Sequence, residues 1–241
     1  MKWIYLSPHF DDAALSCGGS IWEQVQTGDY VTILTVCAGE PPAGPISDYA
    51  QSLHARWETG ADAVKVRSEE NRQSCQILGA RLINLDIPDV IYRRSPVDGS
   101  PVCESDADLL SALKPLESPL IESLKTQLAE LIPMDCEIVS PLALGGHIDH
   151  RLVRTAVEGL DHPVRYYADF PYLLDLDQIA HMAKMEYRLY PVSERGLEAW
   201  QASIAAHASQ ISTFWGSADQ MYKAVRSYWK SSQGLKIWYF S

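Results

Sequence analysis

The feature that most constrains the fold is a β-prone apolar run that passes directly into a polar turn and then into a helical pattern. Residues Trp3 to Leu6 are apolar and β-prone, and small or apolar residues then recur at helical spacing from Ala14 to Val25. Tyr30 to Cys37 follows as a continuous apolar run, which is typical of a strand buried in a parallel sheet. This β-α-β order predicts an α/β fold in which the first turn lies at the carboxyl edge of the sheet, where ligands bind.

That first turn carries His9, Asp11 and Asp12. Imidazole nitrogen and carboxylate oxygen are good zinc ligands, and a catalytic zinc keeps three protein ligands and one open position for water. Of two adjacent aspartates on a turn, one can bind the metal while the other acts as a base beside the metal. The alternative is that Asp11 and Asp12 only cap the first helix and that His9 is a partly buried residue at the strand end.

A second polar cluster, His147, Asp149 and His150, follows the predicted strand Glu137 to Ser140. Helical spacing from Val153 to Leu160 predicts a helix with Asp149 at its N-cap and His150 at its start. If the two strands are neighbours in the sheet, their clusters meet at one edge and the second cluster supplies a third metal ligand.

These residues resemble the motifs of a known family. Pro8-His9-Phe10-Asp11-Asp12 and His147-Ile148-Asp149-His150, with Gly18-Gly19 in the first helix, are similar to the motifs of the PIG-L, or LmbE-like, zinc-dependent N-deacetylases. The resemblance implies a single Rossmann-like three-layer α/β domain with a mostly parallel sheet. It also implies a hydrolase that removes an N-acetyl group from an amino-sugar-containing small molecule and releases acetate and a free amine. The implied cofactor is Zn²⁺, with Fe²⁺ as the alternative.

The resemblance assigns a role to each polar residue of the motifs. It implies that His9, Asp12 and His150 bind the metal, that Asp11 is the general base, and that His147 polarises the substrate carbonyl and stabilises the oxyanion.

Three further residues receive supporting roles by the same resemblance. Asp149 is expected to hold His147 in a useful tautomer and orientation. Arg67, in the pattern Arg67-Ser68-Glu69-Glu70, is expected near the substrate's hydroxyl groups, and Asp89 is expected to contact a sugar hydroxyl. The alternative for Arg67 is an exposed ion pair with Glu70 along a helix.

The sequence departs from the commonest family pattern at three positions. Phe10 and Ile148 stand where many members have Pro, and Ala13 stands where many have Glu. Because the spacing of the six polar residues is kept, we expect these changes to affect substrate preference more than reaction type.

Composition limits the kinds of partner. The 241 residues suit one α/β domain, 1–241, and an apolar fraction of 46% is ample for its core. A net charge of −11, from 31 acidic and 20 basic residues, argues against nucleic-acid binding and favours a small neutral or cationic partner, here an N-acetylated amino sugar or glycoconjugate. The sequence leaves open whether the protein forms a homo-oligomer.

The same sequence predicts a cytoplasmic protein without a membrane segment. No apolar stretch reaches the length of a bilayer span, and the N-terminus lacks the pattern of a secretory signal. The five cysteines are scattered, odd in number and without C-x-x-C spacing, so we interpret them as reduced packing residues.

Several segments leave alternatives open. Residues 38–60 are predicted as a long irregular connection that is either a wall of the active site, including Trp57, or a mobile surface loop. Residues 92–119 are an excursion from the sheet, and Tyr172 is either a pocket residue or part of a packed turn. Glu186 to Tyr190 is expected as a late, antiparallel strand.

Two other functions compete with deacetylation of a sugar. One is a metal-dependent amidase that acts on a non-sugar or thiol-conjugate substrate. The other is a non-catalytic sugar- or nucleotide-binding module, but the first strand is not followed by G-x-G-x-x-G.

Overall fold

One mostly parallel sheet organises the chain. The computed structural model describes residues 1–174, 182, 185–232 and 234–240. Within these ranges the strands are Lys2–Ser7 (β1), Tyr30–Thr35 (β2), Arg81–Asn84 (β3), Glu137–Pro141 (β4), Val164–Tyr167 (β5), Glu186–Pro191 (β6) and Gly234–Tyr239 (β7). Their order is β3-β2-β1-β4-β5-β7-β6. Strands β1 to β5 are parallel, while β7 is antiparallel to both β5 and β6, so the predicted mostly parallel sheet and late antiparallel strand are confirmed.

The strand order places a crevice at the carboxyl ends of β1 and β4. From β1 the chain continues outward to β2 and β3, and it later returns to pair β4 with the other side of β1, where Tyr5 is in register with Val139. This reversal of strand order is the topological switch point at which α/β sheets bind ligands. The two predicted metal-binding segments follow β1 and β4, so the topology brings them together.

Helices cover both faces of the sheet, which confirms the three-layer prediction. In β1, Ile4 and Leu6 pack toward Ser118–Leu131 (α5) and Ile148–Glu158 (α6). Trp3 and Tyr5 point to the opposite face, because side chains alternate along a strand, and pack toward Asp12–Gln26 (α1) and Ala63–Leu78 (α3). The other α-helices of the described ranges are Asp48–Arg56 (α2), Asp106–Leu109 (α4), Glu194–Ala205 (α7), Ile211–Phe214 (α8) and Ala218–Ser232 (α9). None of the helices described is long and apolar enough to cross a bilayer.

A close helix contact explains the small residues of α1. Trp200 of α7 is fully buried, and its indole N–H donates to the carbonyl oxygen of Ala14 at 2.9 Å. A Cβ atom on Gly18 would lie 2.6 Å from Trp200 Cδ1. The glycine therefore allows α7 to lie directly on α1.

Two local predictions were wrong. Residues 38–60 are not wholly irregular, because they contain α2, whose N-cap residue Ser47 accepts a hydrogen bond from the backbone N–H of Ala50 at 3.1 Å. Asp149 is not the N-cap of α6. His147 takes that position, and its Nδ1 accepts a hydrogen bond from the backbone N–H of Asp149 at 3.1 Å.

The five cysteines are unpaired and buried, as expected for packing residues.

Candidate active site

The two polar segments converge at the crevice between β1 and β4. His9 follows β1, and His150 lies in the first turn of α6, yet their ring centroids are 5.4 Å apart. His147 lies 4.7 Å from His9 and 5.3 Å from His150 by the same measure. The predicted convergence of distant parts of the chain is therefore present.

Asp12 lies between two of these rings. Its Oδ2 is 3.3 Å from Nδ1 of His9, and its Oδ1 is 3.3 Å from Nε2 of His150. Asp12 Oδ2 also accepts the backbone N–H of His9 at 2.7 Å, which fixes the carboxylate in the turn. Two imidazoles and a carboxylate at this spacing form a donor set that suits zinc or a similar divalent cation. Ring nitrogens of His9, His147 and His150 lie within 4.8 Å of one another, as do ligand atoms of His9, Asp89 and Asp149.

The buried charges around these rings favour a cation. Asp12, Asp89, Asp149 and Asp169 are all buried beside the histidines. Burial alone would lower the pKa of His150, but Asp12 and Asp169 raise that pKa to about 10. Burial would also lower the pKa of His9, but Asp89, Asp12 and Asp149 hold that pKa well above its usual value. A pocket that stabilises protons on both rings also stabilises a divalent cation in their place, so these residues fit a metal.

His147 has the opposite electrostatic setting. Burial and the neighbouring His9 and His150 hold its pKa well below the usual value, so the ring is neutral. Since Nδ1 accepts a hydrogen bond from the Asp149 backbone, the single ring proton lies on Nε2. His147 is thus an N–H donor that lines the cavity.

Asp169 supports His150 and was not foreseen from the sequence. Its Oδ1 lies 2.6 Å from Nδ1 of His150, and its Oδ2 accepts the backbone N–H of Leu144 at 2.9 Å. This contact holds Nε2 of His150 toward Asp12. A carboxylate on the far nitrogen is the usual partner of a metal-binding histidine. Asp169 follows the end of β5, and this position at the carboxyl edge was the one available signal.

The Asp149 carboxylate contacts His9 and a buried arginine. Its Oδ2 is 3.1 Å from Nε2 of His9 and accepts the backbone N–H of Val90 at 3.0 Å. Arg93 lies 2.6 Å from Asp149 Oδ1 and 3.2 Å from Glu117. Although burial opposes ionisation, Arg93 and His9 hold the pKa of Asp149 far below its usual value. The carboxylate of Asp149 was expected to orient His147. Instead, the backbone N–H of Asp149 contacts the His147 ring, and the carboxylate contacts His9.

Arg67 is buried at the site, so its alternative as an exposed partner of Glu70 is wrong. Only 7% of Arg67 is exposed, and its guanidinium lies 3.3 Å from Asp11 and 3.8 Å from Asp89. It also lies over the rings of Trp57, at 4.7 Å, and Phe10, at 5.5 Å. The six motif residues, Arg67 and Asp89 therefore form one connected group. Arg93, Glu117 and Asp169 extend it.

Both irregular segments of the chain border the cavity above this group. Leu53 and Trp57, from 38–60, form one wall, and Asp106 and Leu109 of α4, from 92–119, form another. The first wall is fixed by His54 beneath it, whose ring nitrogens contact the Gly60 carbonyl oxygen at 2.8 Å and the Tyr92 hydroxyl at 2.6 Å. Of the two interpretations of residues 38–60, the wall of the active site that includes Trp57 is therefore the one that the structure has.

The C-terminal third of the chain closes the remaining side. Tyr172, Gln210, Thr213 and Phe214 line the cavity there, so Tyr172 is a pocket residue. The Tyr172 ring contacts Phe214 edge to face at 6.1 Å between centroids.

The fold and this site together define an α/β protein with a buried group of His and Asp side chains, suited to binding a metal, at the switch point of its sheet. The model of the PIG-L family, GlcNAc-PI de-N-acetylase, matches residues 4–160. The chain belongs to the PIG-L family. The match includes both polar motifs, while the wall formed by Tyr172 and residues 210–214 lies outside it.

Two relatives are N-acetylparomamine deacetylases by name. The 2'-N-acetylparomamine deacetylase of Niallia circulans is 29% identical over 190 residues, which are 70% of this chain and 66% of that protein. The enzyme of the same name from Streptomyces fradiae is 30% identical over 181 residues, 73% of this chain and 59% of that protein. The matches thus span less than two thirds of either relative.

Solved structures share the fold over nearly the whole length. A deacetylase from teicoplanin biosynthesis in complex with teicoplanin has a TM-score of 0.81 at 22% identity, covering 99% of this chain and 97% of that one. The A40926 pseudoaglycone deacetylase has a TM-score of 0.75 at 25% identity, covering 98% and 96%.

Proposed function

We propose that this protein is a metal-dependent N-deacetylase of an N-acetylated amino sugar or glycoconjugate, releasing acetate and a free amine. The observation that carries the proposal is that Asp11 and the group His9, Asp12 and His150 open on one cavity in a chain of the PIG-L family. The names of the relatives, deacetylases of N-acetylparomamine, support the same bond and substrate class. We propose further that 1–241 acts as one catalytic domain in the cytoplasm.

In this proposal His9, Asp12 and His150 hold Zn²⁺, or Fe²⁺. When bound, the metal supplies a Lewis acid that polarises the amide carbonyl and activates water. Asp11 accepts the proton of the attacking water, because its carboxylate lines the cavity and its position is fixed by Arg67.

His147 stabilises the charge that develops on the substrate oxygen. His147 lines the cavity with its ring proton on Nε2, in the tautomer set by the Asp149 backbone, and a preformed donor of this kind is most effective where water is excluded. Asp11 then passes the proton that it took from water to the leaving nitrogen, and the C–N bond breaks to release the amine and acetate. Arg67 and Asp89, which also line the cavity, contact the hydroxyl groups of the sugar.

Metal analysis and acetate release test the proposal together. The purified protein is assayed with N-acetylglucosamine, N,N'-diacetylchitobiose, 2'-N-acetylparomamine and an N-acylated thiol conjugate. We expect acetate and free amine in equal amounts from at least one sugar, loss of activity on chelation, and recovery with Zn²⁺ or Fe²⁺. Turnover of the thiol conjugate alone would favour the amidase, and sugar binding without turnover would favour the binding module. Activity that survives complete metal removal would contradict the proposal.

A further inference from the structure

His207 is a buried histidine without a hydrogen-bond partner among the residues that the structure describes. It lies just after α7, is 1% exposed, and neither Nδ1 nor Nε2 has such a partner. Buried polar side chains are nearly always hydrogen-bonded, because an unpaired one loses its bonds to water without replacement. We therefore expect a further hydrogen-bonding group next to this imidazole.

The turn that carries His207 is fastened to the helix that carries Arg67. Ser209 donates its backbone N–H and its hydroxyl to the two oxygens of Glu70, at 2.8 and 2.7 Å. Glu70 is one turn beyond Arg67 on α3, and Gln210 lines the active-site cavity. His207 thus lies behind the cavity, on the side of Arg67.

The charges that act on His207 belong to the active site. Burial lowers its pKa to about 4, and Asp11 and Arg67 are the strongest charged influences on it. At neutral pH the ring is uncharged, with one N–H donor and one acceptor nitrogen.

The Asp11–Arg67 pair, whose charges act on His207, offers complementary hydrogen-bonding atoms. Arg67 Nη2 contacts Asp11, while Arg67 Nε, on the same edge of the guanidinium, is buried and also without a partner among the described residues. This edge therefore presents an unpaired N–H donor next to a carboxylate acceptor. A neutral imidazole can satisfy both through one enclosed water, which needs two to four polar partners.

We propose that His207 is a positioning residue that holds the Asp11–Arg67 pair through a shared buried water, and so keeps Asp11 directed at the cavity. This inference rests on the proposed function for its catalytic consequence. His207 does not touch the substrate, and it acts only through Asp11 and Arg67.

Kinetics of two substitutions test the catalytic consequence. His207→Leu keeps the approximate volume but cannot form hydrogen bonds, so we expect kcat to fall by about 10- to 100-fold with KM and metal content little changed. His207→Gln, which retains a donor and an acceptor, should recover most of kcat. Ser203→Ala, on the preceding helix α7, is the control and should leave kcat unchanged. A folded His207→Leu protein with the kcat of the unaltered enzyme would overturn the proposal.

A double-mutant cycle tests the route through Asp11. In an Asp11→Asn background, His207→Leu should cause little further loss, because the group it positions is already disabled. Full additivity of the two losses would show that His207 acts elsewhere.

A high-resolution crystal structure gives a readout that does not need activity. We expect an ordered water within hydrogen-bonding distance of a His207 nitrogen and of Arg67 Nε. A dry space at His207, or direct protein partners for both of its nitrogens, would overturn the proposal even if His207→Leu did not fold. Absence of deacetylase activity in the unaltered protein, with the water present, would instead count against the proposed function alone.

Discussion

Asp11 and Asp12 are neighbours in sequence but have different partners. Asp12 lies between the imidazoles of His9 and His150, whereas Asp11 pairs with Arg67. The backbone turn separates two carboxylates that would repel each other if they shared a site. This separation supports one carboxylate as a metal ligand and the other as a base.

Removal of the Asp11 charge should abolish the chemistry. Asp11→Asn keeps the shape of the side chain but cannot accept a proton, so we expect kcat to fall by about 10²- to 10⁴-fold, the usual contribution of a general base. Steady-state acetate release measures the loss. A variant with near-normal kcat would exclude Asp11 as the base.

Asp169 should control metal affinity from behind His150. Its Oδ1 is 2.6 Å from Nδ1 of His150, so Asp169→Asn removes the charge that orients and polarises the ring. We expect metal affinity to weaken by about 10- to 100-fold, measured by competition with a chelating dye. The exposed Asp161→Asn serves as the control. Equal affinities for both variants would show that Asp169 has only a packing role.

The candidate ligands could be predicted from the sequence because they lie in two short motifs at strand ends. The supporting residues Asp169 and Arg93 could not, since each contacts a partner distant along the chain. Asp149 illustrates the same limit, because its carboxylate contacts His9 rather than the histidine two residues before it.

Among the helices, the contact of α1 with α7 depends on Gly18. Alanine normally favours a helix over glycine by about 1 kcal/mol. Here its Cβ would meet the Trp200 ring at 2.6 Å and Ser203 Oγ at 2.9 Å. The clash should outweigh the helix preference.

We therefore expect Gly18→Ala to lower the free energy of unfolding by about 1–3 kcal/mol, the usual cost of overpacking. Urea unfolding measures the change. Gly216→Ala is the control, because the three atoms nearest to its Cβ would all belong to the flexible Gln220 side chain, the closest at 3.2 Å. A Gly18→Ala protein as stable as the control would contradict the packing account.

Elements with strong local signals could be predicted, and those set by tertiary contacts could not. Glycine is a common helix terminator, and Gly79 ends α3 in a left-handed conformation, with φ of 72°. Helix α2 was missed because the Pro- and Gly-rich residues 41–45 before it masked the short signal at Ser47. The N-cap of α6 was misplaced by two residues, because a histidine takes the role that Asp149 was expected to fill.

For the whole molecule, a net charge of −11 should favour a cationic substrate. An acidic protein attracts a positively charged ligand over a distance that salt shortens, from about 30 Å at 0.01 M to about 10 Å at 0.1 M. We expect kcat/KM for a cationic N-acetylated aminoglycoside to fall several-fold between these ionic strengths, while the value for neutral N-acetylglucosamine stays nearly constant. The same salt dependence for both substrates would exclude electrostatic attraction.

In the proposed mechanism the segments that follow β1 and β4 jointly bind one divalent cation. Metal content per chain, measured by mass spectrometry after dialysis, tests this shared site. We expect about one zinc or iron in the unaltered protein and in Asp11→Asn, and close to none in His9→Ala and His150→Ala, with all four folded by circular dichroism. Retention of a full equivalent by folded His9→Ala and His150→Ala proteins would contradict the shared site.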